Sequence, residues 1–287
     1  MNESRKFLFF IGGLAALFVV TLVIGRTIGP DQSEPDDSMS HTSHGNYTLE
    51  PVTAEFPLGT DTPLQFRVLD SDGNPVTEYT EQHEKLLHLI VVRDDTSGYQ
   101  HLHPTMSDDG TWTVTTSFTD PGQYGLYADF VPAGGENAVA TADVTVHGQG
   151  APKPLPPVSN TATVDGYTVT LDGTIAAGSP STVTMSVTRG GAPVTDLQPY
   201  LGAYGHLVAI DGDNLDYLHV HPTGHPGDGV TTAGPGIQFE LTAPEPGDYR
   251  LFLDFQHGDN VRTAEFSVTA QPGGSTNTPP SEHGHGH

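Results

Sequence analysis

The chain carries one layout of three histidines twice, so its fold has to be built from two copies of one unit. HLIVVRDDTSGYQHLHP runs from His88 to Pro104 and HLVAIDGDNLDYLHVHP from His206 to Pro222. In each, a histidine is followed 13 residues later by His-x-His-Pro, giving His88, His101 and His103, then His206, His219 and His221. Over the 19 aligned positions from Leu86 and Tyr204 onward, seven residues are identical, and they include all three histidines. The duplication extends further: DPGQYGLYADF (Asp120–Phe130) aligns with EPGDYRLFLDF (Glu245–Phe255), and VATADVTV (Val139–Val146) with VRTAEFSV (Val261–Val268).

Each copy reads as short runs rich in Val, Thr, Tyr and Phe, broken by Gly, Asp, Asn and Pro, with no 3.6-residue apolar period. In the first copy the expected strands are 47–56, 64–69, 86–93, 99–103, 112–118, 124–130 and 139–146. Seven strands in about 100 residues predict an immunoglobulin-like β-sandwich, and Tyr124 and Tyr249, each following an acidic residue and a glycine, are candidates for its tyrosine corner. The expected fold class is therefore all-β, two tandem immunoglobulin-like sandwiches over 47–146 and 161–269. HGQGAPKPLPPVSN (147–160) is the expected semi-rigid, proline-rich linker with few cross-contacts, which leaves each domain to fold by itself.

The histidine spacing has a geometric consequence. If the hairpin turn is centred between Asp95 and Thr96, antiparallel pairing sets His88 opposite His103, with His101 two residues away on the same face. A turn centred between Asp213 and Asn214 does the same for His206, His219 and His221. Opposed residues have Cβ atoms about 4.5–5.5 Å apart, so three imidazole nitrogens converge from one hairpin, provided the register is not shifted by one residue. Imidazole suits Cu(II), Zn(II) and Ni(II). After the N-terminal apolar run the methionines are only Met39, Met106 and Met185, which disfavours a thioether Cu(I) site, so copper is the first expectation and zinc the second.

Further candidate ligands are Asp129 and Asp254, which occupy matching places at odd offset from Tyr124 and Tyr249 and so should face away from the core. His83 and His257 are also candidates; His83 is matched by Leu201 in the second copy, and His257 has no histidine counterpart in the first. The His-rich stretches His41–Gly45 and His283–His287 suit weak metal capture. The bland alternative for any one of these histidines is an ordinary strand residue satisfied by backbone.

The absence of cysteine removes disulfides, thiolate sites and thiol nucleophiles. A formal charge of −25 repels phosphate backbones and excludes nucleic acid as the expected partner, while cations are favoured. Phe7–Gly25 is an uncharged run of 19 residues preceded by Arg5 and Lys6, long enough to span a membrane and leave the rest outside the cytoplasm. It is expected to be a retained anchor within 1–26, with a cleaved signal peptide as the competing reading. A polar acidic stalk (27–46) and a His-rich tail (270–287) complete the chain, and both are expected to be disordered.

The stretches His83–Pro104, Pro199–Pro222 and Tyr249–Val268 resemble a family of exported, membrane-anchored actinobacterial proteins with two such repeats, over most of residues 60–268. That resemblance implies export and duplication rather than an activity. At the level of fold and ligand type only, the chain is similar to His-ligated copper-resistance β-sandwich domains. The leading expectation is a non-catalytic envelope protein that binds copper or a similar divalent ion. A structural or adhesive immunoglobulin-like module is the second. With no distinct nucleophile, general base or cofactor fingerprint beside the histidines, an enzyme is the least favoured.

Overall fold

The protein is described by a computed structural model over residues 46–218 and 220–273. The expected anchor, the stalk before Asn46, the tail beyond Gly273 and His219 lie outside the described residues. The described residues form strands and no helix, and hence no helix long and apolar enough to cross a membrane.

The first repeat is a sandwich of two sheets. One has the order β1 (Thr48–Pro51), β3 (Thr62–Leu69), β8 (Thr111–Thr116), β7 (Thr105–Met106). The other has the order β2 (Glu55–Phe56), β10 (Ala138–Val146), β9 (Gly122–Pro132), β5 (Leu87–Arg93), β6 (Gln100–Leu102), with β4 (Tyr79–Thr80) joined to β9. In the second repeat one sheet runs β11 (Thr161–Val164), β12 (Tyr167–Asp172), β13 (Ser181–Arg189), β18 (Gly236–Leu241), β17 (His221–Pro222), with β14 (Ala192–Pro193) on β13. Its partner runs β16 (Tyr217–Leu218), β15 (His206–Asp211), β19 (Gly247–His257), β20 (Asn260–Ala270).

Two kinds of strand are present, and their sequences differ accordingly. In β3 and β13 apolar and polar residues alternate: Leu64, Phe66 and Val68, or Val183, Met185 and Val187, point into their own sandwich while the residues between them face outward. In β5, β9, β15 and β19 the apolar residues are nearly continuous, and almost every position is buried. Such strands are covered on both faces. Leu87, Leu89 and Val91 belong to the core of the first sandwich, and Leu207, Ala209, Leu251 and Leu253 to that of the second. The intervening Ile90, Val92, Tyr127, Val208, Ile210 and Phe252 form a third core shared by the two repeats.

That shared core has an approximate two-fold logic. Tyr99 of the first repeat stacks on Phe252 of the second, with ring centres 3.9 Å apart and planes 3° from parallel. Their counterparts Tyr217 and Tyr127 stack at 5.9 Å. Tyr127 donates its hydroxyl hydrogen to the Leu215 carbonyl at 2.7 Å. The linker is pinned as well: the Lys153 amide donates to Asp95, which also forms a 2.6 Å buried ion pair with Arg93, and the Ser159 amide donates to the Ser267 carbonyl. The few cross-contacts expected from a proline linker are thus replaced by a buried interface between the sheets it connects.

Both tyrosine corners are formed. Tyr124 donates to the Asp120 carbonyl at 2.8 Å and Tyr249 to the Glu245 carbonyl at 2.9 Å, each from a fully buried ring. Tyr124→Phe keeps the ring and strands one acceptor, so a loss of about 1 kcal/mol in urea unfolding is expected. An unchanged unfolding midpoint would show that water replaces the hydroxyl at no cost.

Candidate metal centre

The first hairpin pairs Leu89 with Leu102 and Ile90 with His101. This is the register in which His88 lies opposite His103, one step beyond the last ladder pair. His88, Ile90 and Val92 share the face that meets the second repeat, and so do Tyr99, His101 and His103. One ligand nitrogen from each of His88, His101 and His103 lies within 4.8 Å of the others. The ring centres are 5.3 Å apart for His88 and His101, 5.2 Å for His88 and His103, and 4.7 Å for His101 and His103. Two imidazoles sharing a tetrahedral ion at a metal–nitrogen distance of about 2.1 Å have ring centres roughly 5 Å apart.

The hydrogen bonds fix which nitrogen of each ring is turned inward. His88 Nε2 lies 3.1 Å from the Gln82 carbonyl, so it carries the hydrogen and leaves Nδ1 with its lone pair. His101 Nδ1 lies 2.8 Å from Oδ2 of Asp254, which leaves Nε2 with its lone pair. These two inner nitrogens face each other at 3.1 Å. Two acceptors at that distance repel unless a cation, a metal ion or a proton, lies between them. His103 Nε2 is buried with no hydrogen-bond partner.

A tight turn sets up the His88 bond. Gln82 and Lys85 exchange backbone hydrogen bonds, and His83 and Glu84 occupy the two central positions with φ of +50° and +63°. Such a turn favours Asn or Gly there, so a His-Glu pair costs energy in the backbone. The second repeat has the same device: Tyr200 and Ala203 pair around Leu201 and Gly202, at φ of +54° and +73°. His206 Nε2 donates to the Tyr200 and Leu201 carbonyls at 2.9 and 3.1 Å.

Burial, reinforced by the neighbouring imidazoles, disfavours charge on three of these rings. It pushes the pKa of His88 down to about 4, of His103 to about 3 and of His206 to about 4. Neutral imidazole is the form that ligates.

The other candidates fall in several places. His206 lies beside the first triad: its ring centre is 6.4 Å from those of His88 and His101 and 5.1 Å from that of His83. His221 is exposed and pairs through its backbone with Glu240 in the opposite sheet. His219 lies outside the described residues. His257 is engaged elsewhere, accepting from or donating to the Tyr167 hydroxyl at 2.7 Å and meeting Asp196 at 3.1 Å. Asp129 and Asp254 do face away from their own cores, but towards the other repeat. Asp254 pairs with His206 across the ladder, orients His101 of the other repeat and accepts from Thr263, and Asp129 accepts from Tyr217 at 2.7 Å. Spacing found these carboxylates as candidate ligands. Their bonds across the interface were not legible without knowing that the sheets meet.

The described residues also carry a loop-lined pocket of about 510 Å³ near His225 and Thr231, and a cleft of about 620 Å³ near Val139, Tyr217 and His221. Neither includes the triad.

Among curated proteins none matches the chain. Among solved structures it is similar to the Escherichia coli adhesin FdeC (17% identity, 82% of this chain and 66% of that one, TM-score 0.25). It is also similar to Escherichia coli alpha-2-macroglobulin activated by porcine elastase (12%, 79% and 20%, 0.26) and to a putative membrane anchored protein from Corynebacterium diphtheriae (12%, 80% and 59%, 0.23). The chain spans less than two thirds of the length of each of these. With identities and TM-scores this low, none of these likenesses bears on function. A family described as a domain of unknown function, DUF8832, matches residues 41–149 and again residues 162–272. The chain therefore belongs to that family and carries its domain twice.

Proposed function

We propose that the protein is a non-catalytic metal-binding protein of the cell envelope, holding a divalent transition metal through His88, His101 and His103 for storage, delivery or detoxification. Copper is the favoured ion and zinc the next. The observation that carries this reading is the pair of inward lone pairs 3.1 Å apart on His88 and His101, beside a buried His103 nitrogen without a partner. A cation relieves both defects at once. Mixed imidazole nitrogens suit Cu(II) and Zn(II), and Met185 is committed to the core of the second sandwich. The carboxylates beside the cluster are engaged with His101, Thr263 and Tyr217, which favours binding over hydrolytic chemistry. Export rests on Phe7–Gly25 as a membrane anchor, with the cation as partner and no role for nucleic acid. A fragment starting at residue 27 should be released from membranes that retain the full chain, and equal partitioning would remove the anchor from the proposal.

The metal reading is tested on purified protein lacking residues 274–287, so that the tail histidines do not contribute. Competition titration with Cu(II) and Zn(II) should find one tight site, weakened by at least about 100-fold in His101→Ala/His103→Ala. If the double variant binds as the parent does, the second reading takes over. On that reading the immunoglobulin-like repeats form a structural or adhesive module, in which His88 and His206 serve to tie strands to the Gln82 and Tyr200 carbonyls.

A further inference from the structure

We infer that the ion sits between the repeats, with His206 of the second repeat as its fourth ligand. Binding the ion and holding the repeats face to face are then one equilibrium. This rests on the metal reading of the His88, His101 and His103 triad.

The triad supplies three nitrogens from one hairpin, and a tetrahedral ion needs a fourth donor. On the side that faces the second repeat, His88 and His101 of the triad line a cavity of about 30 Å³ together with His83, Asp129 and His206. That is room for about one water or ion. His206 enters it from β15 with its Nε2 committed to the Tyr200 and Leu201 carbonyls, so its other nitrogen, Nδ1, is the one left to ligate, as in His88. The ring centre of His206 lies 6.4 Å from those of His88 and His101, against 5.3 Å between the two triad rings. An approach of about 1 Å, by a turn of the ring or by closure of the interface, brings it to the roughly 5 Å spacing of shared ligands. The second repeat already contributes to this site, because the carboxylate that orients His101 is Asp254.

The duplication explains why a residue from the second copy stands here. His88 and His206 are equivalent positions, and they approach each other because the approximate two-fold runs between the facing sheets. His83 has no such twin, since Leu201 stands at its counterpart. The two hairpins therefore build one asymmetric site rather than a matched pair, and its donors come from both.

Co(II) added to the full chain reports donor number through its visible absorption. The wild type should bind one ion tightly with the strong bands of a four-coordinate, nitrogen-rich site. His206→Ala should bind about 100-fold more weakly with altered bands. His206→Gln keeps a donor for the Tyr200 carbonyl and preserves the fold, and it should show the same loss. His147→Ala, at an exposed histidine paired with Glu55, should bind as wild type does. Hydrogen exchange on addition of Co(II) should slow at β5 and β15 together in the wild type, and at β5 alone in His206→Gln. A His206→Gln protein with wild-type affinity and bands overturns the fourth ligand while leaving the triad standing. A wild type with no tight Co(II) site, beyond weak capture by the His-rich ends, overturns the triad itself.

Discussion

The metal-free protein is expected to lose stability steeply as the pH falls from about 6.5 towards 4, and a bound divalent ion is expected to offset that loss near pH 6. His88, His103 and His206 have folded-state pKa values of about 4, 3 and 4, against about 6.5 for an unfolded histidine. In that window the unfolded chain binds protons that the folded chain refuses, so unfolding is favoured by acid. Stability is full above pH 6.5 and is lost as the pH approaches the folded values. A depression of the size found at His88 alone corresponds to about 3 kcal/mol. Thermal melts in EDTA at pH 7.5, 6.0 and 5.0 should show a falling midpoint. Excess Zn(II) at one hundred times its dissociation constant should add about 2.7 kcal/mol of stability and raise the midpoint at pH 7.5, 6.0 and 5.0 alike, because histidines with folded pKa values of about 4 and 3 are still neutral at pH 5.0 and able to ligate. A flat midpoint in EDTA across this range would mean that the histidines are solvated, and the buried cluster would be wrong.

How much of this was legible in the sequence differs between local and long-range features. Strands and register were legible because both follow from short-range pattern: the His88 to His103 spacing fixes a hairpin centre, and Leu89 pairs with Leu102 as that centre requires. The tyrosine corners were legible because they rest on an acidic residue, a glycine and a tyrosine close together. The short strands β4 and β7 were missed, since two-residue pairings leave no periodic trace. The shared core was also missed, although it had left a signal. Leu87–Val92 and Leu207–Ile210 do not alternate polar with apolar, which in an antiparallel sheet means a second covered face. Asp129 and Asp254 face away from their own cores as their offset from the tyrosine corners requires, and Asp254 meets His101 on that face. Position relative to the tyrosine corner gives a face, but nothing local in the sequence says that the face meets a second sheet.

Phe252→Ala should produce a large loss of stability, and it should be felt in the repeat that does not contain it. Phe252 is fully buried, lies flat on Tyr99 of the first repeat and beneath the Arg250 guanidinium at 5.1 Å. Truncating a buried phenylalanine costs about 3–5 kcal/mol through lost transfer energy and the cavity left behind. Its backbone pairs with Val208, two residues from His206, and Asp254 follows it two residues later on the same face. The cavity would therefore also loosen the hold of the second repeat on His101 and weaken ion binding. Trp112, the only tryptophan, is buried in the core of the first sandwich and reports on that repeat alone. In wild-type urea unfolding, Trp112 fluorescence and far-ultraviolet dichroism should move together, because the repeats are joined through a common core. In Phe252→Ala the Trp112 transition should shift to lower urea although the substitution lies in the second repeat. Phe239→Ala, which empties the second sandwich's own core without touching the interface, gives the comparison. If Trp112 unfolds at the wild-type midpoint in Phe252→Ala, the repeats are energetically independent, and the ion cannot be held jointly by both.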